Sequence, residues 1–185
     1  MKVAALFSGG KDSTFAIYKA KDEGHQVQCL ITIFPLSEES MLLHFPNIRL
    51  TNLQSESMQI PHLTIESKSN DTELELKSIE KILNDAKVKF GIEGVVHGGI
   101  LSEFQKKNFS KACSNLELKI ISPLWNKDQK NYMNSLINSD FHFIIVSVTS
   151  SGLDDYWLGK EITKDDLLKL EDLANKHGFN LNFEG

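Results

Sequence analysis

An apolar run, Val3-Ala4-Ala5-Leu6-Phe7, leads without interruption into Ser8-Gly9-Gly10-Lys11-Asp12-Ser13, and an amphipathic stretch over 14–22 follows at once. Strand, glycine turn, helix is the opening of a βαβ unit, and repeated βαβ units build a parallel sheet with helices on both faces. In such a sheet ligands collect at the carboxyl ends of the strands. There the first helix presents its unpaired N–H groups and the positive end of its dipole. Gly9 and Gly10 let the backbone approach an anion without a Cβ in the way. Ser8 and Ser13 offer hydroxyls, and Lys11 offers a mobile positive charge. Asp12 would by itself repel a phosphate. It makes sense either with Mg2+ between its carboxylate and the phosphates or as a helix-start partner. Two other phosphate loops do not match. A Walker A loop ending at Gly10-Lys11 would need Gly at Ala5 and Ser or Thr at Asp12, and the dinucleotide fingerprint needs spaced rather than adjacent glycines.

The rest of the chain keeps the alternation. Apolar runs predict strands over 27–34, 62–65, 94–97, 119–121 and 141–148. Helices are predicted over 52–59, 72–90, 103–113 and 129–138, with a short helix or loop over 36–45. In 72–90 Leu74, Leu76, Ile79, Ile82, Leu83 and Ala86 recur at helical spacing, and Gly91 closes the helix. A last helix opens at Thr163, which with Asp166 forms a weaker capping-box variant, and runs to about Lys176. Phe143-Ile144-Ile145-Val146 reads as a strand buried on both faces. The fold class is therefore α/β, doubly wound and Rossmann-like. The adjacent strand positions of the first and fourth strands would bring Gly98 and Gly99 to the same crevice as the first loop. A boundary near 123–128 divides a domain of 1–125 from a smaller C-terminal subdomain of 126–185.

Length and composition suit a soluble globular protein: 185 residues, 41% hydrophobic, 24% charged. The net charge of −5 opposes strong nucleic-acid binding, although 101–131 carries six lysines against three acids. That segment reads as a solvated helix face, or else as a mildly basic rim. Cys29 and Cys113 are isolated, so neither a disulfide framework nor a zinc site is expected. No apolar stretch is long enough to span a membrane, and a cytoplasmic location is expected.

Phe7-Ser8-Gly9-Gly10-Lys11-Asp12-Ser13 resembles the loop of the N-type ATP pyrophosphatases, the PP-loop superfamily. Five further segments are similar to the diphthine–ammonia ligase family in particular: Ser40-Met41-Leu42-Leu43-His44-Phe45-Pro46-Asn47; Gln54-Ser55-Glu56-Ser57-Met58-Gln59-Ile60-Pro61; Gly94-Val95-Val96-His97-Gly98-Gly99-Ile100-Leu101-Ser102-Glu103-Phe104-Gln105; Ser122-Pro123-Leu124-Trp125 with Asp128-Gln129; and Gly152-Leu153-Asp154-Asp155-Tyr156-Trp157-Leu158-Gly159-Lys160-Glu161-Ile162. Phe104 stands where the family usually has Tyr. The family continues after a Glu-Gly with an acidic element, which Glu184-Gly185 resembles at its start, so the C-terminal subdomain is expected to be cut short.

The resemblance implies an adenine nucleotide alpha hydrolase type of sheet and a reaction in two steps. ATP adenylates a carboxylate with loss of pyrophosphate, and ammonia then displaces AMP. It implies ATP across Ser8, Gly9, Gly10, Lys11, Asp12 and Ser13, with adenine against the strand end near Ile33, and Gly98 and Gly99 on the same crevice. Lys11 and Asp12 are the catalytic candidates, with Asp12 holding Mg2+. His44, Ser102, Gln105, Trp125, Asp154, Asp155, Trp157 and Glu161 are candidates for the acceptor side, and His97 for a further polar contact. The implied acceptor is diphthine on elongation factor 2. A homodimer is the assembly expected if the chain self-associates. Two other classes stay open: a PP-loop enzyme with a tRNA or small-molecule acceptor, and a nucleotide-binding sensor without catalysis.

Overall fold

The computed structural model of the chain describes residues 1–43 and 47–183. Its residues fall into two compact units, Met1–Trp125 and Asn126–Gly185.

The first unit is built on five strands: β1 (Lys2–Leu6), β2 (Gln26–Phe34), β3 (His62–Glu66), β4 (Gly94–Val96) and β5 (Lys119–Ile121). They form one sheet in the order β3-β2-β1-β4-β5, and every pairing is parallel. The connecting helices are α1 (Lys11–Asp22), α2 (Thr51–Met58, entered through a 3-10 turn Ile48–Leu50), α3 (Thr72–Phe90) and α4 (Glu103–Asn115). From β1 the chain steps outward through β2 to β3, then returns to the other side of β1 for β4 and β5. Right-handed crossovers therefore put α1 and α2 on one face and α3 and α4 on the other. The reversal point lies between β1 and β4, where Val3, Ala4 and Ala5 pair with Gly94, Val95 and Val96.

Side chains alternate across the strands and fill both layers. On one face Ala4, Cys29, Ile31, Ile33 and Val95 share a core with Leu76, Ile79 and Leu83 of α3 and with Phe109 and Ala112 of α4. On the other, Val3, Ala5 and Leu30 are buried, as are Phe15, Ile17 and Ala20 of α1. Gly91 ends α3 in the left-handed conformation, with φ 63°. Over 35–43 the chain makes turns and bends rather than a helix.

The second unit holds α5 (Gln129–Asn138) and α6 (Lys164–His177), with a 3-10 turn Asp155–Trp157 between them. Thr163 and Asp166 close a reciprocal capping box at the start of α6. The strand expected over 141–148 does not form. Its segment makes only two isolated bridges, Ile144 to Glu161 and Ile145 to Leu158. Ile145 is buried, but Ile144 and Val146 are 50% and 55% exposed, so the apolar run is covered on one side alone. A strand covered on both faces needs a sheet to sit in, and among the described residues this unit has none.

Candidate functional site

The loop between β1 and α1 is held from three directions. From behind, the Phe7 N–H donates to the Ile31 carbonyl at 2.8 Å, and the Thr32 hydroxyl donates to the Phe7 carbonyl at 2.6 Å. His62 Nε2 lies 2.8 Å from the same hydroxyl. Because that hydroxyl gives its hydrogen to Phe7, Nε2 must carry the ring proton. Burial lowers the His62 pKa from its ordinary value, which favours this neutral tautomer. From the side, α2 delivers Gln54, whose Nε2 donates to the Gly9 carbonyl at 2.9 Å. From the front, Gly98 packs directly on the first turn of α1. A Cβ there would stand 2.8 Å from Ser13 Cα and 2.9 Å from its nitrogen.

Within the loop a ring of hydrogen bonds runs through the serines. The Gly10 N–H points to Ser8 Oγ at 3.5 Å, Ser8 donates to Ser13 Oγ at 3.2 Å, and Ser13 donates to the Gly10 carbonyl at 3.0 Å. The first two are long and weak, so they can be exchanged for bonds to an incoming anion. Helix α1 starts at Gly10 with no side-chain cap, whereas Asp71, Ser102, Asp128 and Thr163 cap α3, α4, α5 and α6. The start of α1 thus opens onto the crevice at the reversal point with no capping side chain at Gly10. Lys11 Nζ lies 2.9 Å and 3.1 Å from the two Asp12 carboxylate oxygens, so cation and anion enter the site as a pair.

The fold brings Ser8, Gly9, Gly10, Lys11, Asp12, Ser13 and Gly98 together. It places the other sequence candidates differently. The Ile33 side chain is turned into the core shared with α3 and α4, leaving only its backbone to meet a ligand. Gly99 packs against the His97 ring, 2.3 Å from where a Cβ would sit. His97 itself is 4% exposed and its Nδ1 has no hydrogen-bond partner. Its ring lies 4.9 Å from that of Phe109, and burial, with a smaller contribution from Lys106, brings its pKa down to about 4. Ser102 caps α4 by accepting from the Gln105 N–H, and Gln105 Nε2 donates to the Leu42 carbonyl at 3.2 Å. Trp125 carries Lys106 Nζ 3.7 Å above its ring. His44 lies outside the described residues.

In the second unit Asp154 accepts from the Tyr156 N–H and so starts the 3-10 turn. Asp155 is exposed. Trp157 is buried, edge-on to Tyr156 with ring centroids 5.2 Å apart. Lys160 bonds to Asp166 and to the Tyr156 hydroxyl, which holds the Asp166 carboxyl down at about pH 2. Glu161 pairs with His142 Nδ1 at 2.6 Å on the surface.

Thr32 and His62 had no role in the sequence reading, and Gln54 entered it only as the first residue of a family-like segment, not as a site residue. Each acts across a long separation, 45 residues in the case of Gln54 and Gly9. The one available signal was Thr32, a polar residue within the apolar end of β2; Gln54 stands on a mostly polar helix, TNLQSESM, and gave none.

These features define an α/β protein with a glycine-rich loop and an uncapped helix start at the switch point of a parallel sheet. The family follows from comparison with known proteins. Residues 1–120 match the diphthamide synthase N-terminal domain and residues 128–185 the diphthamide synthase C-terminal domain. The chain is 31% identical to the diphthine–ammonia ligase of Bos taurus, covering 100% of this chain and 76% of that one. It is 32% identical to the diphthine–ammonia ligase of Rattus norvegicus over the same shares. This chain belongs to the diphthamide synthase family. Among solved structures, a predicted subunit of tRNA methyltransferase from Methanocaldococcus jannaschii aligns with a TM-score of 0.49 at 16% identity, over 98% of this chain and 90% of that one. Among the described residues no helix is long and apolar enough to cross a membrane.

Proposed function

We propose that this chain is an ATP-dependent carbon–nitrogen ligase that converts diphthine on elongation factor 2 to diphthamide, using ammonia. The observation that supports this best is the conjunction of family matches over residues 1–120 and 128–185 with an uncapped α1 whose loop is clamped from three sides.

The substrate carboxylate attacks the α-phosphorus of ATP, the bond to the β-phosphate oxygen breaks, and pyrophosphate leaves. Ammonia then adds its lone pair to the acyl carbon, the bond to the AMP oxygen breaks, and the amide nitrogen gives up a proton to solvent. Negative charge grows on the departing pyrophosphate in the first step. The amides of Lys11, Asp12 and Ser13 and the Lys11 ammonium would stabilise it there, as preorganised donors do. Mg2+, when bound, supplies further charge neutralisation on the phosphates. No group of three or more His, Cys, Asp or Glu that could hold a metal occurs among the described residues. The donor set on the protein side would therefore be Asp12 with nucleotide phosphates completing it, as Mg2+ accepts. His97 holds a neutral ring at the end of β4 and would offer Nδ1 as an acceptor. In the first unit Ser102, Gln105 and Trp125 are the residues offered to the acceptor; in the second unit, taken by itself, Asp155, Trp157 and Glu161 are. The chain would act in the cytoplasm.

A thiolation chemistry is disfavoured by the cysteines. Both are buried, and burial pushes their thiols up to about 12, far from the thiolate that sulfur transfer needs.

The test is release of AMP and pyrophosphate from ATP, with and without diphthine-bearing elongation factor 2 and ammonia. Product that depends on both co-substrates supports the ligase. ATP binding with no AMP in any mixture would overturn it in favour of a sensor, and AMP formed only with tRNA would overturn the acceptor.

A further inference from the structure

Two adjacent glycines make the Gly9–Gly10 peptide the easiest in the loop to turn over. Neither residue has a Cβ to oppose rotation of that plane, and Gly9 already sits at φ 77°. The two faces of this peptide have opposite effects on an anion. A trans peptide points its C=O and N–H in opposite directions. In the observed orientation the Gly10 N–H faces the Ser8 hydroxyl, which in turn donates to Ser13 Oγ. Turned over, the plane would put the Gly9 carbonyl oxygen there instead, a partial negative charge aimed at the place a phosphate would occupy.

The carbonyl is held by a single side chain. Gln54 Nε2 donates to it at 2.9 Å, and the amide packs closely on Gly9, its Oε1 2.2 Å from where a Cβ would be. Gln54 Oε1 is buried and makes no hydrogen bond. The amide therefore cannot satisfy itself better by swapping ends, since that would set two acceptors against each other. The helix behind it is anchored. Thr51, 0% exposed, donates to the Ile48 carbonyl at 2.6 Å, and buried Ser55 donates to Asn52 at 2.7 Å. Leaving one buried oxygen without a partner is unfavourable, and the donor on the same amide is committed to the loop backbone.

We infer that Gln54 is a positioning residue: it locks the Gly9–Gly10 peptide so that an N–H, not a carbonyl, faces the phosphates of the nucleotide. The inference rests on the nucleotide reading of the loop given above. It requires a donor at the tip of residue 54, so shape alone is not enough.

Two full-length variants separate donor from shape. Gln54→Met keeps length without polarity, and Gln54→Glu keeps shape but presents only acceptors to the Gly9 carbonyl at neutral pH. Each is titrated with ATP and Mg2+ by calorimetry, with thermal unfolding measured in parallel. Loss of one such hydrogen bond weakens binding about tenfold. The expected result is ATP affinity down about tenfold in Gln54→Met and further in Gln54→Glu, with the melting temperature of Gln54→Met close to the parent's. Gln54→Asn, a shorter donor, should recover affinity in part. If the parent chain binds no ATP, the nucleotide reading fails and takes the lock with it. If the parent binds and both variants match it, the lock alone fails. Should the variants not fold, the Gly10 amide resonance of the parent decides. It should move downfield and exchange more slowly on adding ATP. A Gly10 signal that stays put while Lys11 and Ser13 shift overturns the inference.

Discussion

In the first unit β1 has a hydrogen-bonded neighbour along each edge, and its residues Val3, Ala4 and Ala5 are all fully buried. In the second unit the segment around Ile144 makes one bridge on each of two consecutive residues and stops. The two segments are similarly apolar, yet one is the centre of a sheet and the other a half-covered strip. The difference teaches that an apolar run becomes a strand only where a neighbouring strand continues its backbone pairing, on one side for the edge strands β3 and β5 and on both sides for β1. The first unit meets that condition through four parallel pairings. The second is organised around helices α5 and α6, the capping box at Thr163 and the Lys160–Asp166–Tyr156 cluster.

That contrast can be broken most sharply at the loop. Lys11→Ala should lower AMP and pyrophosphate formation by about a hundredfold or more, the scale expected for losing an electrostatic stabiliser of the leaving group. Asp155→Asn in the second unit should leave ATP binding unchanged and raise KM for the protein acceptor. Equal loss of ATP binding in both variants would erase the division of labour. Gly98→Ala belongs with the first, because its Cβ meets the backbone of Ser13 rather than a side chain that could move. ATP affinity should fall at least about tenfold.

Next come the cores. Ile79→Ala in α3 and Leu170→Ala in α6, both 0% exposed, should each destabilise by about 2–5 kcal/mol in urea denaturation. A single transition for both would show that the units unfold together, and two transitions would show that they do not.

Acid sensitivity is a third way to separate them. His97 is a base whose folded pKa, about 4, lies below its ordinary 6.5. As pH falls through 6.5 the unfolded chain takes up the proton first, so this contribution is full above 6.5 and lost on the way down to about 4. The loss is on the order of 3 kcal/mol. Glu75, whose carboxyl is raised chiefly by burial, acts with the opposite sign, losing stability as pH rises past its ordinary value. The measurement is therefore parent against His97→Gln at pH 7 and pH 4.5, and the variant should lose less. Asp166 in the second unit holds its proton off until about pH 2. Its contribution, present above the ordinary carboxylate range, goes only at lower pH.

The smallest effects mark the half-covered strip. Ile144→Ser and Val146→Ser should change stability by no more than about 0.5 kcal/mol, whereas Ile145→Ala, 7% exposed, should cost about 2 kcal/mol or more. Equal costs at all three positions would mean the run is covered on both sides after all.

Much of this was legible from the sequence because it is local. The period of apolar residues placed α3 and α5 with their observed ends, Gly91 marked the stop of α3, and Thr163 with Asp166 marked the start of α6. The turn between β1 and α1 was legible because strand, glycines and helix are contiguous, and the resemblance to the family lay in segments spread along the whole chain. What only the tertiary structure decided are the relations between distant residues. It placed Gly98 on the first turn of α1, set Gln54 and Thr32 behind the loop, turned Ile33 into the core, and used Asp154 and Ser102 as caps. It also denied a partner strand to 141–148. Composition and period specify which backbone conformation a segment prefers. Whether that preference is realised, and which carbonyl a glutamine 45 residues away will hold, depends on what the rest of the chain brings beside it.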